Sequence, residues 1–276
     1  MSAPTIAIIG TGNMGGSLIR GLLHSGHPSE CIWASDPNLE KLQVLQHSFH
    51  LSVTTDNAQA VEKADCVIFA IKPQQFSSVA TGLAALIQRR KPLVVSIAAG
   101  IPVANIQHWI GGQPAIVRTM PNIASILTCG ATALYANPHV SEEQRSMAES
   151  IMRTIGVTVW LLEEGLMDTV TALSGNGPAY FFLVMEALQE AATQLGLPHE
   201  TARLLTLETA FGAARMAMES NRSLVELRHQ VTSPQGTTEK AVSVLEDNDI
   251  RGLFKKALQA SMRRSEELAT LLKEDR

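Results

Sequence analysis

The sequence predicts an α/β protein in two dissimilar parts, an N-terminal doubly wound sheet over residues 1–162 and an all-α segment over residues 163–276. Three observations carry this reading. Short apolar runs alternate with helical patterns as far as Glu163, the arrangement of a largely parallel sheet with helices on both faces. Beyond Glu163 no stretch reads as a convincing strand. A glycine-rich turn, Gly10-Thr11-Gly12-Asn13-Met14-Gly15, separates the first strand from the first helix.

Taken in order, Thr5–Ile9 is an apolar run of strand length, and an amphipathic stretch from Gly16 to about Ser25 follows the turn, with Gly26 to end it. Strand, glycine turn and helix in this succession form a dinucleotide fingerprint of the Rossmann type. Gly10 makes the tight turn, Gly12 lets the backbone approach a pyrophosphate, and Gly15 lets the helix lie close to the strand. A second strand, Cys31–Ser35, ends at Asp36, about twenty residues further on, where a carboxylate would accept ribose hydroxyls and repel a 2′-phosphate. Should Asp36 turn away, Ser35 and Asn38 are candidate hosts for that phosphate.

Further runs at Cys66–Ala70, Leu93–Ile97, Ala115–Thr119 and Val157–Leu161 complete the sheet. Ligands of open α/β sheets bind beyond the carboxyl ends of the strands. The candidate cofactor residues are therefore Ile9, Gly10, Thr11, Gly12, Asn13, Met14, Gly15, Ser35, Asp36, Asn57, Ala70, Ile71, Lys72, Pro73, Ala98 and Ala99. Lys72 is placed to meet a phosphate or hydroxyl, and Asn57 is either an adenosine contact or a helix cap. Asn122, after Met120 and Pro121, is either a substrate hydrogen-bonder or a loop brace.

The helical part opens on a hinge, Ser174-Gly175-Asn176-Gly177-Pro178, leading into a helix from Pro178 to Leu195 with Gly196 just past its end. Ser174 and Asn176 are expected near the nicotinamide end of a cofactor. Two more helices run from His199 to about Ser220 and from Ile250 to about Lys273. The His199 helix is apolar around much of its circumference, so it needs burial on several faces and predicts a bundle shared between subunits. In the segment Gln230–Lys240, Pro234 presets one turn dihedral and Gly236 is expected to take a positive φ. Thr237 is expected to cap a helix running to about Glu246, whose free N–H groups suit a carboxylate or phosphate.

Composition narrows the function classes. A formal net charge of −4 with scattered Lys and Arg gives no basic stripe for nucleic acid. The cysteines Cys31, Cys66 and Cys129 have no pairing pattern and read as buried, reduced thiols near strand edges; the dispersed histidines have no metal-ligand spacing. The start carries no cationic, apolar leader and no apolar run is long enough to span a membrane, so a cytoplasmic protein is expected.

The residues also bear on the reaction. Reducing a ketone calls for a strong polarising acid, typically Lys or His. No lysine lies between Lys91 and Lys240, and the histidines of that span have no motif. A protonated imine is already electrophilic and needs only alignment, an anion cradle and a hydrogen bond to nitrogen, which Ser233, Thr237 and Thr238 can supply.

The chain resembles the Δ1-pyrroline-5-carboxylate reductases from end to end: in Ile9–Gly15, Ala70–Pro73, Ser96–Gly100, Arg118–Asn122 and Leu173–Tyr180, and most specifically in Val231–Thr238. The resemblance implies a Rossmann domain with an interleaved helical dimerisation domain, dimers that build decamers, and reduction of pyrroline-5-carboxylate to L-proline by NADPH, with NADH as the alternative. It implies that Ser233, Gly236, Thr237 and Thr238 hold the substrate carboxylate, with Asn122 beside it, and that Ser233 and Thr238 are catalytic, Thr238 facing the ring nitrogen. It also implies that this loop completes the active site beside a partner subunit's nicotinamide. Four positions depart from the family pattern: Asn176 where Ser is usual, Ile123 and Ala124 in place of Thr-Pro, and Asn221 where an acid is frequent. They bear on affinity and rate more than on reaction class. Two rival readings are a reductase of another cyclic imine or a hydroxy acid, and a weakly catalytic dinucleotide-binding sensor.

Overall fold

The computed structural model describes residues 3–274, so the outermost ends of the two expected parts, residues 1–2 and 275–276, lie outside the described residues. Eight strands form one sheet: β1 (Ile6–Ile9), β2 (Ile32–Ser35), β3 (Ser52–Thr54), β4 (Cys66–Phe69), β5 (Leu93–Ser96), β6 (Ile116–Met120), β7 (Gly130–Ala136) and β8 (Gly156–Trp160). Their order is β3-β2-β1-β4-β5-β6-β7-β8, and the direction of winding reverses between β1 and β4. Every neighbouring pair is parallel except β6 and β7.

The helices of this region are α1 (Asn13–His24), α2 (Leu39–Phe49), α3 (Asn57–Glu62), α4 (Pro73–Arg90), α5 (Val103–Ile110) and α6 (Glu142–Arg153). Leu18, Ile19 and Leu22 of α1 join Leu42 of α2 and Ile151 and Met152 of α6 in the core on one face of the sheet. Val61 of α3, Phe76 and Ile87 of α4 and Ile106 of α5 form the core on the other. Covered on both faces, β1, β4 and β5 are buried throughout, which is why they read as unbroken apolar runs rather than alternating ones. Phe76 is fully buried and stacks on Phe69 at 4.8 Å between ring centroids. Burial of such a side chain contributes about 1.5–3 kcal/mol.

β7 has no counterpart among the expected strands. Its glycine and three alanines lack the β-branched signature of a strand, and its place is fixed from outside, by antiparallel pairing to β6 and parallel pairing to β8. The cysteine expectation holds for Cys66, which is buried, but Cys129 is exposed and Cys31 is half-buried; all three are free thiols.

After β8 the chain passes through α7 (Met167–Val170) and a π-helical turn, Thr171–Gly175, into α8 (Gly177–Gln194), α9 (His199–Glu219), α10 (Leu224–Gln230), α11 (Thr237–Asp247) and α12 (Ile250–Glu274). Two compact units result: residues 1–176 with 261–276, and residues 177–260. The first unit thus takes in fourteen residues beyond the expected boundary at 162/163, and the end of α12 as well. An ion cluster around the buried Arg118 ties these residues to the sheet. Arg118 on β6 contacts Glu164 at 2.9 Å and approaches Asp168 at 4.0 Å, while Glu164 also accepts from the Val103 N–H and Asp168 from the Ser265 hydroxyl. A guanidinium in an otherwise apolar strand demands such partners.

In the second unit, Glu246 of α11 accepts from Arg251 of α12 and Arg228 of α10. The hydrogen bonds from Arg251, with those from Arg228 and the charges of both, hold its carboxyl down at about 2. Within this single chain Phe181, Phe182 and Leu183 of α8, and Leu204, Leu205 and Phe211 of α9, stay exposed. No helix among the described residues is long and apolar enough to cross a membrane.

Candidate active site

The glycine turn between β1 and α1 lies at the point where the winding reverses. Gly10 has φ +97°, and a Cβ there would stand 2.5 Å from the Ala70 carbonyl oxygen. A Cβ on Gly15 would stand 2.1 Å from the Gly10 oxygen, so α1 can lie this close only with glycine. Around Gly12 nothing comes within 4 Å of an added Cβ. Gly12 is also the N-cap of α1, and the first bond back to it is Gly16 N–H to Gly12 O at 2.8 Å. The amides of Asn13 and Met14 therefore face outward at a positive helix end over an open surface, as a dinucleotide pyrophosphate requires. The helix begins three residues before the expected Gly16, which places these amides in its first turn.

Ile9 ends β1, and Ala70, Ile71, Lys72 and Pro73 follow β4, with Lys72 exposed at the N-cap of α4. Ala98 and Ala99 follow β5; Ala98 is buried and Ala99 exposed. Ser35, the last residue of β2, donates through its hydroxyl to Asn57 Oδ1 at 2.6 Å. Asn57 is not the cap of α3: Asp56 is, accepting from the Ala58 N–H at 2.9 Å. Asp36 turns inward. Its Oδ2 accepts from both the amide and the hydroxyl of Thr11, at 2.9 and 2.8 Å, and its Oδ1 accepts from the Asn38 N–H at 2.9 Å. Burial alone would raise its pKa, but these bonds and the charge of Lys41 outweigh it and hold the carboxyl below the usual range.

Beyond β6, Asn122 donates to the Ser174 carbonyl at 3.2 Å and toward its hydroxyl at 3.4 Å, while its own oxygen accepts from the Ala131 N–H at 3.4 Å. Between the two readings of Asn122, this geometry is that of a brace, joining the β6 exit to the π-helical turn. Asn176 donates to the Ser261 hydroxyl at 2.7 Å, which gives its longer side chain a partner. A Cβ on Gly175 would stand 2.5 Å from the Met120 methyl, so this turn also packs tightly.

The Ser233–Thr238 loop belongs to the second unit and is described by itself. Gly236 N–H donates to Ser233 O at 3.0 Å, closing a turn over Pro234 and Gln235. The positive φ falls on Gln235, at +58°, and not on Gly236, which is extended at φ −83°. Glycine is needed at 236 for a different reason: a Cβ there would stand 2.9 Å from the Ser233 oxygen. Gly236 and not Thr237 is the N-cap of α11, so Thr237 and Thr238 occupy its first turn. The first return bond is Lys240 N–H to Gly236 O, leaving the amides of Thr237, Thr238 and Glu239 without a partner among the described residues. The hydroxyls of Ser233, Thr237 and Thr238 are exposed beside them. These donors suit an anion, and the Glu239 carboxylate stands in the same loop, its Oε2 accepting from the Gln235 N–H at 2.7 Å.

Glycine turn, switch point and donor-lined strand ends together define a nicotinamide-dinucleotide oxidoreductase with a helical second unit. Comparison with known proteins narrows the class. Residues 5–100 match a family model described as NADP oxidoreductase, coenzyme F420-dependent, and residues 164–268 match one described as pyrroline-5-carboxylate reductase dimerisation. The pyrroline-5-carboxylate reductase of Pseudomonas aeruginosa is 46% identical over 272 residues, covering 99% of both chains; that of Pasteurella multocida is 38% identical, covering 98% of this chain and all of the other. A solved pyrroline-5-carboxylate reductase from Coxiella burnetii is 45% identical with a TM-score of 0.93, covering 96% of this chain and 98% of the other. That of Plasmodium falciparum, with NADP bound, is 25% identical with a TM-score of 0.86 over 98% of this chain and 99% of the other. The chain belongs to the pyrroline-5-carboxylate reductase family.

The sequence reading missed the bonds from Thr11 to Asp36 and the ion cluster around Arg118. The second had a signal, since a charged residue inside Ile116–Met120 calls for buried partners. The first had none, because no spacing rule joins residues 11 and 36 through a side chain.

Proposed function

We propose that this chain reduces 1-pyrroline-5-carboxylate to L-proline, the last step of proline synthesis, using NADPH with NADH as the alternative. The observation that carries the reading is the Ser233–Thr238 loop, with three amides that have no partner among the described residues and exposed hydroxyls at the start of α11. The amides of Thr237, Thr238 and Glu239 bind the substrate carboxylate at the positive end of the helix. The Ser233 hydroxyl orients the ring, and the Thr238 hydroxyl hydrogen-bonds the ring nitrogen, keeping the protonated imine aligned. Asn122, through its hold on Ser174, keeps the floor beside the nicotinamide in place. Gly10 to Gly15 hold the pyrophosphate, while Ala70 to Pro73, Ala98, Ala99, Ser174 and Asn176 line the nicotinamide half. When bound, the reduced nicotinamide supplies the hydride that the imine carbon accepts.

Residues 163–276 serve as the substrate-binding and dimerisation part. The exposed apolar faces of α8 and α9 support a homodimer, and family resemblance supports assembly of dimers into a decamer. A cytoplasmic site of action accords with a biosynthetic step that consumes reduced nicotinamide. The test is loss of reduced-nicotinamide absorbance with pyrroline-5-carboxylate, run with NADPH and NADH in parallel. Turnover is expected with both. A folded protein that binds a dinucleotide yet turns over no pyrroline-5-carboxylate would sink the assignment.

A further inference from the structure

The turn ahead of α11 carries a residue that does not suit it. Pro234 and Gln235 are the central pair of the turn that the Gly236 N–H closes on Ser233 O at 3.0 Å, and Gln235 has φ +58°. Proline followed by a residue of positive φ is the pattern of a type II turn, which takes Gly, or less often Asn, after the proline. With a longer side chain in that place the left-handed conformation is strained. A type I turn, with φ about −90° at the same residue, is the easier alternative. The two turns differ by a flip of the peptide between Pro234 and Gln235.

Glu239 holds that peptide. It is exposed in the first turn of α11, and its Oε2 reaches back to accept from the Gln235 N–H at 2.7 Å. The reach is that of a capping-box acid. In the boxes of α6 and α10, Gln144 and Glu226 return to the amide of the N-cap itself. Here the N-cap amide, that of Gly236, is already given to Ser233, and the target is the residue before it. Being made to a carboxylate, the bond is stronger than one between neutral groups. Other contacts hold the ends of the loop. The Thr232 N–H bonds His229 O at 3.1 Å and its hydroxyl bonds Arg228 O at 2.6 Å, while Arg228 in turn joins Glu246 of α11. The peptide between them depends on Glu239. A flip would turn the Gln235 N–H away and carry the Pro234 carbonyl oxygen, which points the opposite way, to the side of the first turn of α11. An acceptor would then stand beside the free amides of Thr237, Thr238 and Glu239.

We propose that Glu239 is a positioning residue of the Ser233–Thr238 loop: it latches Gln235 in the left-handed conformation and so keeps the α11 amides open to the carboxylate of the substrate. The proposal rests on the reductase reading above and deepens it by naming what sets the loop. Glu239 also brings a negative charge to the anion site, and the two effects oppose each other. Its carboxylate is exposed, so water and salt screen the repulsion. Losing the latch costs what the loss of a helix cap costs, which is the larger effect. Removing the side chain therefore weakens substrate binding. Substrate at saturation selects the latched turn, so the loss falls on KM and not on kcat.

The test is reduction of pyrroline-5-carboxylate by the full-length protein as wild type, Glu239→Ala, Glu239→Gln and the double variant Glu239→Ala with Gln235→Gly. Amide hydrogen exchange at residues 233–239, read without substrate, and melting temperature accompany each. Glu239→Ala is expected to raise the substrate KM about fivefold with kcat within about twofold, and to speed exchange of the Gln235 amide. Glu239→Gln keeps an oxygen for the Gln235 N–H and should hold KM within about twofold of wild type. In the double variant glycine takes the positive φ unaided, so KM should return to within about twofold of wild type although the latch is gone. A general loss of structure would not be rescued in this way. An unchanged or lowered KM in Glu239→Ala would overturn the proposal. So would Glu239→Gln as impaired as Glu239→Ala, or a double variant that recovers nothing. If Glu239→Ala does not fold, the double variant decides alone: normal KM supports the latch and a raised one overturns it. A wild type that reduces no pyrroline-5-carboxylate fails the reductase reading; the latch is then judged by exchange, faster at Gln235 in Glu239→Ala if it exists and unchanged if it does not.

Discussion

Gly10→Ala and Gly12→Ala separate what the glycine turn does for the fold from what it does for the ligand. At Gly10 an added Cβ falls 2.5 Å from the Ala70 oxygen and 2.9 Å from both the Ala70 carbonyl carbon and the Ile71 Cγ2. The shortfall from ordinary contact at 3.4 Å is about 0.9 Å, most of it against backbone. Neither side yields easily, since Ala70 N–H bonds Ile9 O at 2.8 Å and Gly10 N–H bonds Ser35 O at 2.7 Å. A left-handed φ on a residue with a Cβ costs about 1–3 kcal/mol. Overpacking adds about 1–3 kcal/mol. At roughly 2–4 °C per kcal/mol, Gly10→Ala should melt roughly 5–20 °C lower. A displacement near 1 Å in the pyrophosphate turn should also weaken dinucleotide binding about 100-fold. Gly12→Ala meets nothing within 4 Å, so its melting temperature should match wild type while dinucleotide affinity falls, because the methyl occupies the approach to the α1 amides. Differential scanning fluorimetry and a dinucleotide titration on both variants suffice. A Gly10→Ala protein that melts within about 1 °C of wild type and binds normally would refute the reasoning. So would a Gly12→Ala protein that loses as much stability as Gly10→Ala.

Three further outcomes are expected. Thr238→Ala should lower kcat/KM for pyrroline-5-carboxylate about tenfold or more at unchanged dinucleotide affinity and melting temperature; wild-type kcat/KM would remove Thr238 from the reaction. Gly236→Val should raise the substrate KM by displacing Ser233, whereas Gln235→Gly should relieve about 1 kcal/mol of left-handed strain and keep activity; normal substrate affinity in Gly236→Val, or destabilisation by Gln235→Gly, would contradict the turn geometry. Glu246 has a folded pKa of about 2 against an ordinary 4.5, so its contribution is complete above about pH 4.5 and fades as pH falls toward 2. Melting curves of wild type and Glu246→Gln should therefore differ at neutral pH and converge in acid; a gap that widens in acid would show the sign to be wrong.

The fold was legible wherever one local rule dominates. Burial on both faces writes β1, β4 and β5 as continuous apolar runs, and Pro178 and Gly196 bracket α8 through their own backbone preferences. Legibility failed where a neighbour decides. β7 is a strand because β6 and β8 pair with it, although Gly130, Ala131, Ala133 and Ala136 carry little strand propensity of their own. In the Ser233–Thr238 loop the residue types pointed to a turn but to the wrong bearer of its positive φ: glycine suits both a positive φ and a close approach, and the structure assigns the first to Gln235 and the second to Gly236. Asp36 shows the same limit. Its position at the end of β2 follows from the sequence, whereas its inward turn depends on Thr11 and Asn38 having donors aimed at it.

α12 begins among the helices of residues 177–260 and ends with the sheet unit, where Ser265 donates to Asp168 at 2.7 Å across 97 residues of chain. For a ribosome this order matters. The sheet unit is not finished when residue 176 emerges, because its last segment begins at residue 261. At roughly 5–20 residues per second, synthesis of the intervening stretch takes on the order of 4–17 s. During that interval Asp168, Thr169 and Asn176 lack the partners that Ser265, Met262 and Ser261 later provide. The sheet unit therefore gains these contacts only after the helical insert has been made in full. A stop codon that removes residues 261–276, and with them Ser261, Met262 and Ser265, should therefore act as a folding defect of the cofactor-binding unit despite lying some two hundred and fifty residues from its glycine turn.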